Sequence, residues 1–135
     1  MESSGAIAMR PKKEAAVLRR ELDGKTPVIG FCGAPFTIAA YLVQGEGKEG
    51  FGALKRWMFA DPDTVLSLLD KLAIAMADYV RLQIDAGAQA IQIFDSWVGT
   101  LNAADYREFA LPHSQRIFAA IAGRVPTIHF GTGTA

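Results

Sequence analysis

The sequence is poor in the residues that most often announce a chemistry. It has one cysteine, Cys32, and two histidines. A single cysteine excludes an internal disulfide and makes a reducing cytoplasm the expected setting. Neither sign of charge is in excess, since fourteen basic side chains offset fourteen acidic ones. With no net field to draw a polyanion, nucleic acid is not an expected partner. No apolar run reaches the roughly 18 residues that a membrane span needs, so no membrane partner is expected. The opening stretch, MESSGAIAMRPKKEAAV, carries its basic residues after the small apolar cluster, the reverse of a secretory signal.

What is present is a chain of 135 residues, half of them apolar and 21% charged, which suits one domain with a real core. Its most informative stretch is VIGFCGAPFTIAAYLVQG, from Val28 to Gly45. Val28 to Cys32 is β-branched and aromatic enough for a buried strand. Pro35 suits the first turn of a helix, where its missing N–H costs nothing. Tyr41 falls six residues into that helix. A strand that turns directly into a helix is where α/β proteins place their chemistry.

The rest of the chain repeats this theme. Lys13 to Leu22 is rich in helix formers, and Asp23-Gly24 closes it before the strand. The helix after Pro35 ends in a polar loop, Gln44-Gly45-Glu46-Gly47. Phe51 to Ala60 predicts a short helix with Leu54, Trp57 and Met58 on one side. Asp61-Pro62 is a cap followed by a first-turn proline, and opens a long helix to about Ala86. Its apolar stripe runs Val65, Leu68, Leu69, Leu72, Ala73, Met76, Tyr79, Val80 and Ile84. Asp70, Lys71, Asp78, Arg81 and Asp85 lie mostly off that stripe. Ala90 to Phe94 predicts a second strand, finishing at Asp95-Ser96-Trp97. Asn102 caps a third helical region, which Pro112 divides into Ala103 to Ala110 and Pro112 to Ala122, meeting at a bend. Val125 to Phe130 predicts a third strand, followed by Gly131-Thr132-Gly133-Thr134-Ala135.

Strands separated by helices imply a parallel sheet, because parallel strands need crossover connections. A (β/α)8 barrel takes eight strands and about 250 residues, so this chain has room for less than half of one. A parallel sheet also needs both faces covered. A last strand running into Gly-Thr-Gly-Thr-Ala with no helix after it therefore reads as a cut.

Several residues could carry chemistry. Tyr41 is either a helix tyrosine packed on the core or a hydroxyl donor to a ligand, and Ser96 is either a turn cap or such a donor. His129 alternates with Ile128 and Phe130, so it either points into a barrel or is a satisfied core histidine, the second being preferred. Cys32 has no histidine near it in sequence and reads as a small buried apolar residue. Gly131-Thr132-Gly133 lacks the helix and lysine of a phosphate loop and reads as a tight strand exit.

Four motifs in series point to a family. GFCGAPFTIAAYLVQG, AGAQAIQIFDSWVGTL (Ala86 to Leu101), DYREFALP (Asp105 to Pro112) and VPTIHFGTGT (Val125 to Thr134) together resemble the uroporphyrinogen decarboxylase family in order and spacing. The resemblance covers about Glu14 to Ala135, and Met1 to Lys12 match less well. It implies a single partial TIM barrel domain over residues 1–135, lacking the family barrel's N-terminal and C-terminal parts. It also implies the removal of four acetate carboxyl groups from uroporphyrinogen III to give coproporphyrinogen III in haem biosynthesis. The tetrapyrrole substrate would be the partner, with no metal or organic cofactor and a homodimer for the full-length member. In this chemistry the substrate is its own electron sink: protonating a pyrrole carbon makes a cation that receives the electrons of the breaking C–CO2 bond.

Carried over by position, Tyr41 matches the family's substrate-contacting tyrosine and Ser96 its substrate-contacting serine or threonine. Asp95 is tempting as a catalyst, but the family accepts either acid there and keeps its mechanistic aspartate on an earlier strand. Asp95 is therefore read as a structural residue or as one that orients its neighbours. The family's arginine-rich motif, that aspartate strand and a late histidine have no counterpart here, so no catalytic residue is assigned and the chain alone is expected to be inactive. Two alternatives stand beside this. The related cobalamin-dependent methyltransferases bind zinc through a histidine and cysteines, but where they place a cysteine this chain has Gly131. A non-catalytic partial barrel that self-associates through its exposed faces is the other.

Overall fold

The computed structural model describes residues 4–45 and 52–134, the first helix as backbone alone over residues 4–11. Glu46, Gly47 and Phe51 lie outside the described residues. The elements run α1 (Ser4–Glu21), β1 (Ile29–Gly33), α2 (Pro35–Gln44), α3 (Gly52–Ala60), α4 (Pro62–Asp85) and β2 (Ala90–Asp95). A 3-10 turn (Val98–Thr100), α5 (Ala103–Asp105), a π turn (Tyr106–Ala110), α6 (Leu111–Ala120) and β3 (Thr127–Gly131) follow.

The strands are parallel and lie in the order β1-β2-β3, with Ile29 opposite Ala90 and Ile91 opposite Thr127. Parallel strands that step the same way, joined by crossovers of the usual hand, carry their helices on a single face. The burial follows that rule. Cys32, Ile91 and Ile93 are sealed beneath Val80 of α4 and Ile117 of α6, whereas Ile29, Phe31, Ile128 and Phe130 on the other face are exposed. One-sided cover is what an arc of a (β/α)8 barrel has, and a doubly wound sheet does not.

The long apolar stripe of α4 is what the sheet and helices share. Val65 and Leu69 pack with Phe36, Leu54, Met58 and Phe109 in a cluster beneath α2 and α3, and Val80 lies under the sheet. Each fully buried aliphatic side chain of this kind stabilises the fold by about 1.5–3 kcal/mol relative to exposure. The helix starts where its cap directs: Asp61 accepts from the Thr64 N–H at 3.3 Å and from its hydroxyl at 2.6 Å. Asn102 caps α5 in the same way, accepting from the Asp105 N–H at 2.8 Å.

Several expectations change. The first helix begins at Ser4 rather than Lys13 and ends at Glu21. The third strand starts at Thr127 rather than Val125, because Pro126 has no N–H to give the ladder and offers only its carbonyl, to the Ile91 N–H at 3.0 Å. The expected bend at Pro112 is instead a π turn, in which the Leu111 N–H reaches back to the Tyr106 carbonyl. The extra residue lets α5 run on into α6 and leaves Pro112 in the first turn of α6, where its missing donor is harmless.

The outer edge of β1 is closed by a side chain. Gln83 of α4 accepts from the Phe31 N–H at 3.0 Å and donates to the Phe31 carbonyl at 2.9 Å, as a neighbouring strand would. Gly30 allows this approach, since a Cβ there would lie 2.7 Å from the Gln83 amide oxygen. Replacing Gln83 by methionine keeps the bulk and strands both backbone groups, so the Gln83→Met variant is expected to lose about 1–3 kcal/mol. Urea unfolding checks this: the midpoint falls with an unchanged slope, and a wild-type midpoint would contradict the role.

Candidate functional site

The ends of β1 and β2 meet at one point. The Ala34 N–H donates to the Phe94 carbonyl at 2.7 Å, carrying the first strand's ladder to the start of α2. Pro35 then begins α2 with its ring buried. Two turns of α2 bring Thr37 and Tyr41 over the end of β2. Thr37 is buried and its hydroxyl donates to Asp95 Oδ1 at 2.9 Å while accepting from the Trp97 backbone N–H at 3.3 Å. Tyr41 is 46% exposed and meets the Trp97 ring edge to face, centroids 6.1 Å apart.

Ser96 lies between those tethered residues, half-buried just past β2. Its carbonyl accepts from the hydroxyl of Thr132, in the loop after β3. That loop sits against the 3-10 turn so closely that a Cβ on Gly99 would lie 2.2 Å from the Thr132 carbonyl oxygen. Gly133 there takes φ 64°, so the Gly-x-Gly stretch makes the tight strand exit its composition suggests. The structure thus brings Tyr41 and Ser96 to one rim, through Trp97.

The uncovered face beside that rim holds residues that sequence reasoning did not select. Phe94 contacts Phe31 at 5.8 Å and 90°, and Phe130 at 5.6 Å and 62°. Phe31 is 59% exposed and Phe130 40%. Three edge-to-face phenyl rings make a continuous apolar surface across all three strands. The signal was available, because each phenylalanine stands one or two positions before the end of its strand, at Gly33, Asp95 and Gly131.

Asp95 and His129 face the other way. His129 pairs in register with Ile93, its ring lies 5.4 Å from Phe118 of α6, and its Nε2 is 3.6 Å from Asp95 Oδ2. The histidine therefore packs on the helix-bearing side and does not point into the barrel, but it is not the core histidine expected either, since it stays exposed at the margin of the sheet, where no described helix follows β3 to cover it. Asp95 is fully buried. Burial, and then the charge of Asp95, push the Tyr106 phenol above its ordinary pKa. Tyr106 and His129 also line a cleft of about 490 Å³ with Leu101 and Asn102. Neither Tyr41 nor Ser96 borders it, and it lies across the sheet from the phenylalanines.

A family model described as uroporphyrinogen decarboxylase (URO-D) matches residues 12–135. The uroporphyrinogen decarboxylase of Syntrophotalea carbinolica is 51% identical over 118 residues, 87% of this chain and 34% of the relative. That of Streptomyces coelicolor is 52% identical over 119 residues, 87% of this chain and 33% of the relative. For Rhodococcus erythropolis the match is 49% over 134 residues, 98% of this chain and 36% of the relative. The chain spans about a third of the length of the curated relatives it matches. Among the described residues no helix is long and apolar enough to cross a membrane.

Cys32 gives a sharp check on which face is closed. Its side chain points under α4, and burial pushes the thiol up to about 12. The thiol therefore stays protonated at pH 8, where a free cysteine is partly thiolate. Iodoacetamide at pH 8 is expected to leave Cys32 unmodified in the native chain and to alkylate it fully in urea. Rapid native labelling would contradict the burial.

Proposed function

Because the chain belongs to the uroporphyrinogen decarboxylase family, we propose that it forms one wall of a site that decarboxylates uroporphyrinogen. The observation that carries this is the meeting of an exposed phenylalanine surface with two neutral hydroxyls at its rim. A tetrapyrrole is a broad apolar disc with carboxylates around its edge. Phe31, Phe94 and Phe130 suit the disc, and Tyr41 and Ser96 suit the edge, where hydroxyls donate to carboxylates without adding charge. The substrate supplies its own electron sink, so no metal or organic cofactor is assigned.

A carboxylate is still needed to stabilise the cation that develops when a pyrrole carbon is protonated. Asp95 does not suit that task, since it is buried on the helix-bearing side and engaged by Thr37. The arginine-rich motif, the aspartate strand and the late histidine implied by family resemblance have no counterpart in these 135 residues. The single partial barrel therefore binds, and turnover belongs to the full-length protein, a cytoplasmic homodimer with no nucleic acid partner.

Binding of uroporphyrin III, the fluorescent oxidised macrocycle, tests the wall directly. Tyr41→Phe and Ser96→Ala are each expected to weaken binding roughly three- to tenfold, the worth of one hydrogen bond. The chain is also expected to yield no coproporphyrinogen from uroporphyrinogen. Unchanged affinity in both variants would overturn the rim assignment, and turnover at an ordinary enzymatic rate would overturn the division between binding and catalysis.

A further inference from the structure

A single buried hydroxyl holds the rim together. Thr37 Oγ1 has one proton to give and lone pairs to receive. It gives the proton to Asp95 Oδ1 at 2.9 Å and receives the Trp97 N–H at 3.3 Å. Asp95 and Trp97 are the residues on either side of Ser96, so this one side chain of α2 holds the carboxylate before the serine and the backbone N–H after it. Tyr41 stands one helical turn beyond Thr37, and its ring rests against Trp97 at 6.1 Å. The same hydroxyl therefore sets the serine directly and the tyrosine through the indole.

The chemistry of position 95 fits this role. A carboxylate only accepts, so it takes the hydroxyl's proton and leaves the hydroxyl lone pairs for Trp97. Its second oxygen has no hydrogen bond among the described residues and faces His129 Nε2 at 3.6 Å. Burying a carboxyl group with one oxygen unmet is costly. Asp95 is also fully enclosed, which rules out direct contact with a ligand on the open face. We infer that Thr37 and Asp95 are positioning residues, which hold Tyr41 and Ser96 in place at the rim for a polycarboxylate macrocycle. The inference rests on the proposal that Tyr41 and Ser96 meet substrate carboxylates.

Thr37→Val keeps the shape and removes both hydrogen bonds, and Thr37→Ser keeps the hydroxyl. In the complete 135-residue chain, Thr37→Val is expected to shift the Trp97 backbone amide resonance and to lose the Tyr41–Trp97 ring contact seen by nuclear Overhauser effects. Its affinity for uroporphyrin III should fall about tenfold. Thr37→Ser should retain the contact and bind within about twofold of wild type. A valine variant that keeps the ring contact overturns the inference whether or not the chain binds the porphyrin. So does a serine variant that loses the contact, which remains decisive if the valine variant fails to fold. If Tyr41→Phe weakens binding and Thr37→Val does not, the substrate assignment stands and the positioning role falls. If Tyr41→Phe and Ser96→Ala both bind as wild type, the substrate assignment itself falls, and this inference with it.

Discussion

Three parallel strands that step in one direction bring their crossover helices to one face only, and that geometry decides where this chain can hold a ligand. The covered face is spent on packing. Ile91, Ile93, Ile117, Ile121 and Val80 close it, and Asp95 is buried there under Thr37, while His129 packs on Phe118 at the exposed margin. The uncovered face has no helix to satisfy, yet it carries Ile29, Phe31, Ile128 and Phe130. Apolar rings left on the open side of a sheet need something to cover them, and their place beside Tyr41 and Ser96 makes a ligand's face a suitable cover.

The polar contacts follow the same division. Those on the helix side connect elements: Gln83 to β1, Thr37 to β2, Arg116 of α6 to Asp70 of α4. At the rim Tyr41 stays exposed and Ser96 half-buried. Thr37 is the point of exchange between the two sets, because it sits on α2 between the core and the exposed Tyr41. The short passage from Ala34 to Tyr41 therefore does two things at once, closing the first strand against the second and presenting the tyrosine.

Much of this could be read in the sequence. The strands, the caps at Asp61 and Asn102, and the stripe of α4 declare themselves through local chemistry, and they are found where that chemistry puts them. The strand limits moved by a residue or two because ladder partners, invisible in one sequence, decide where pairing stops. Pro112 announced a break, and the helix absorbed it in a π turn because Phe109 and Ala110 stay buried on one side of it. His129 could not be oriented from alternation alone, since alternation gives two faces and only the position of the helices says which is inside. The phenylalanine surface was missed for a related reason: Phe31, Phe94 and Phe130 are more than thirty residues apart in sequence and become neighbours only through the register of the sheet.

On this reading the open phenylalanine face is the binding wall. A porphyrin's ring current marks whatever it rests on, so the most direct measurement is the proton spectrum of the chain titrated with uroporphyrin III. Large upfield shifts are expected for the rings of Phe31, Phe94 and Phe130 and for Tyr41, with Leu69, Ile117 and Tyr106 unmoved. Shifts concentrated at Tyr106 and Leu101, with the three phenylalanines unchanged, would place the ligand in the cleft on the other side of the sheet and contradict it.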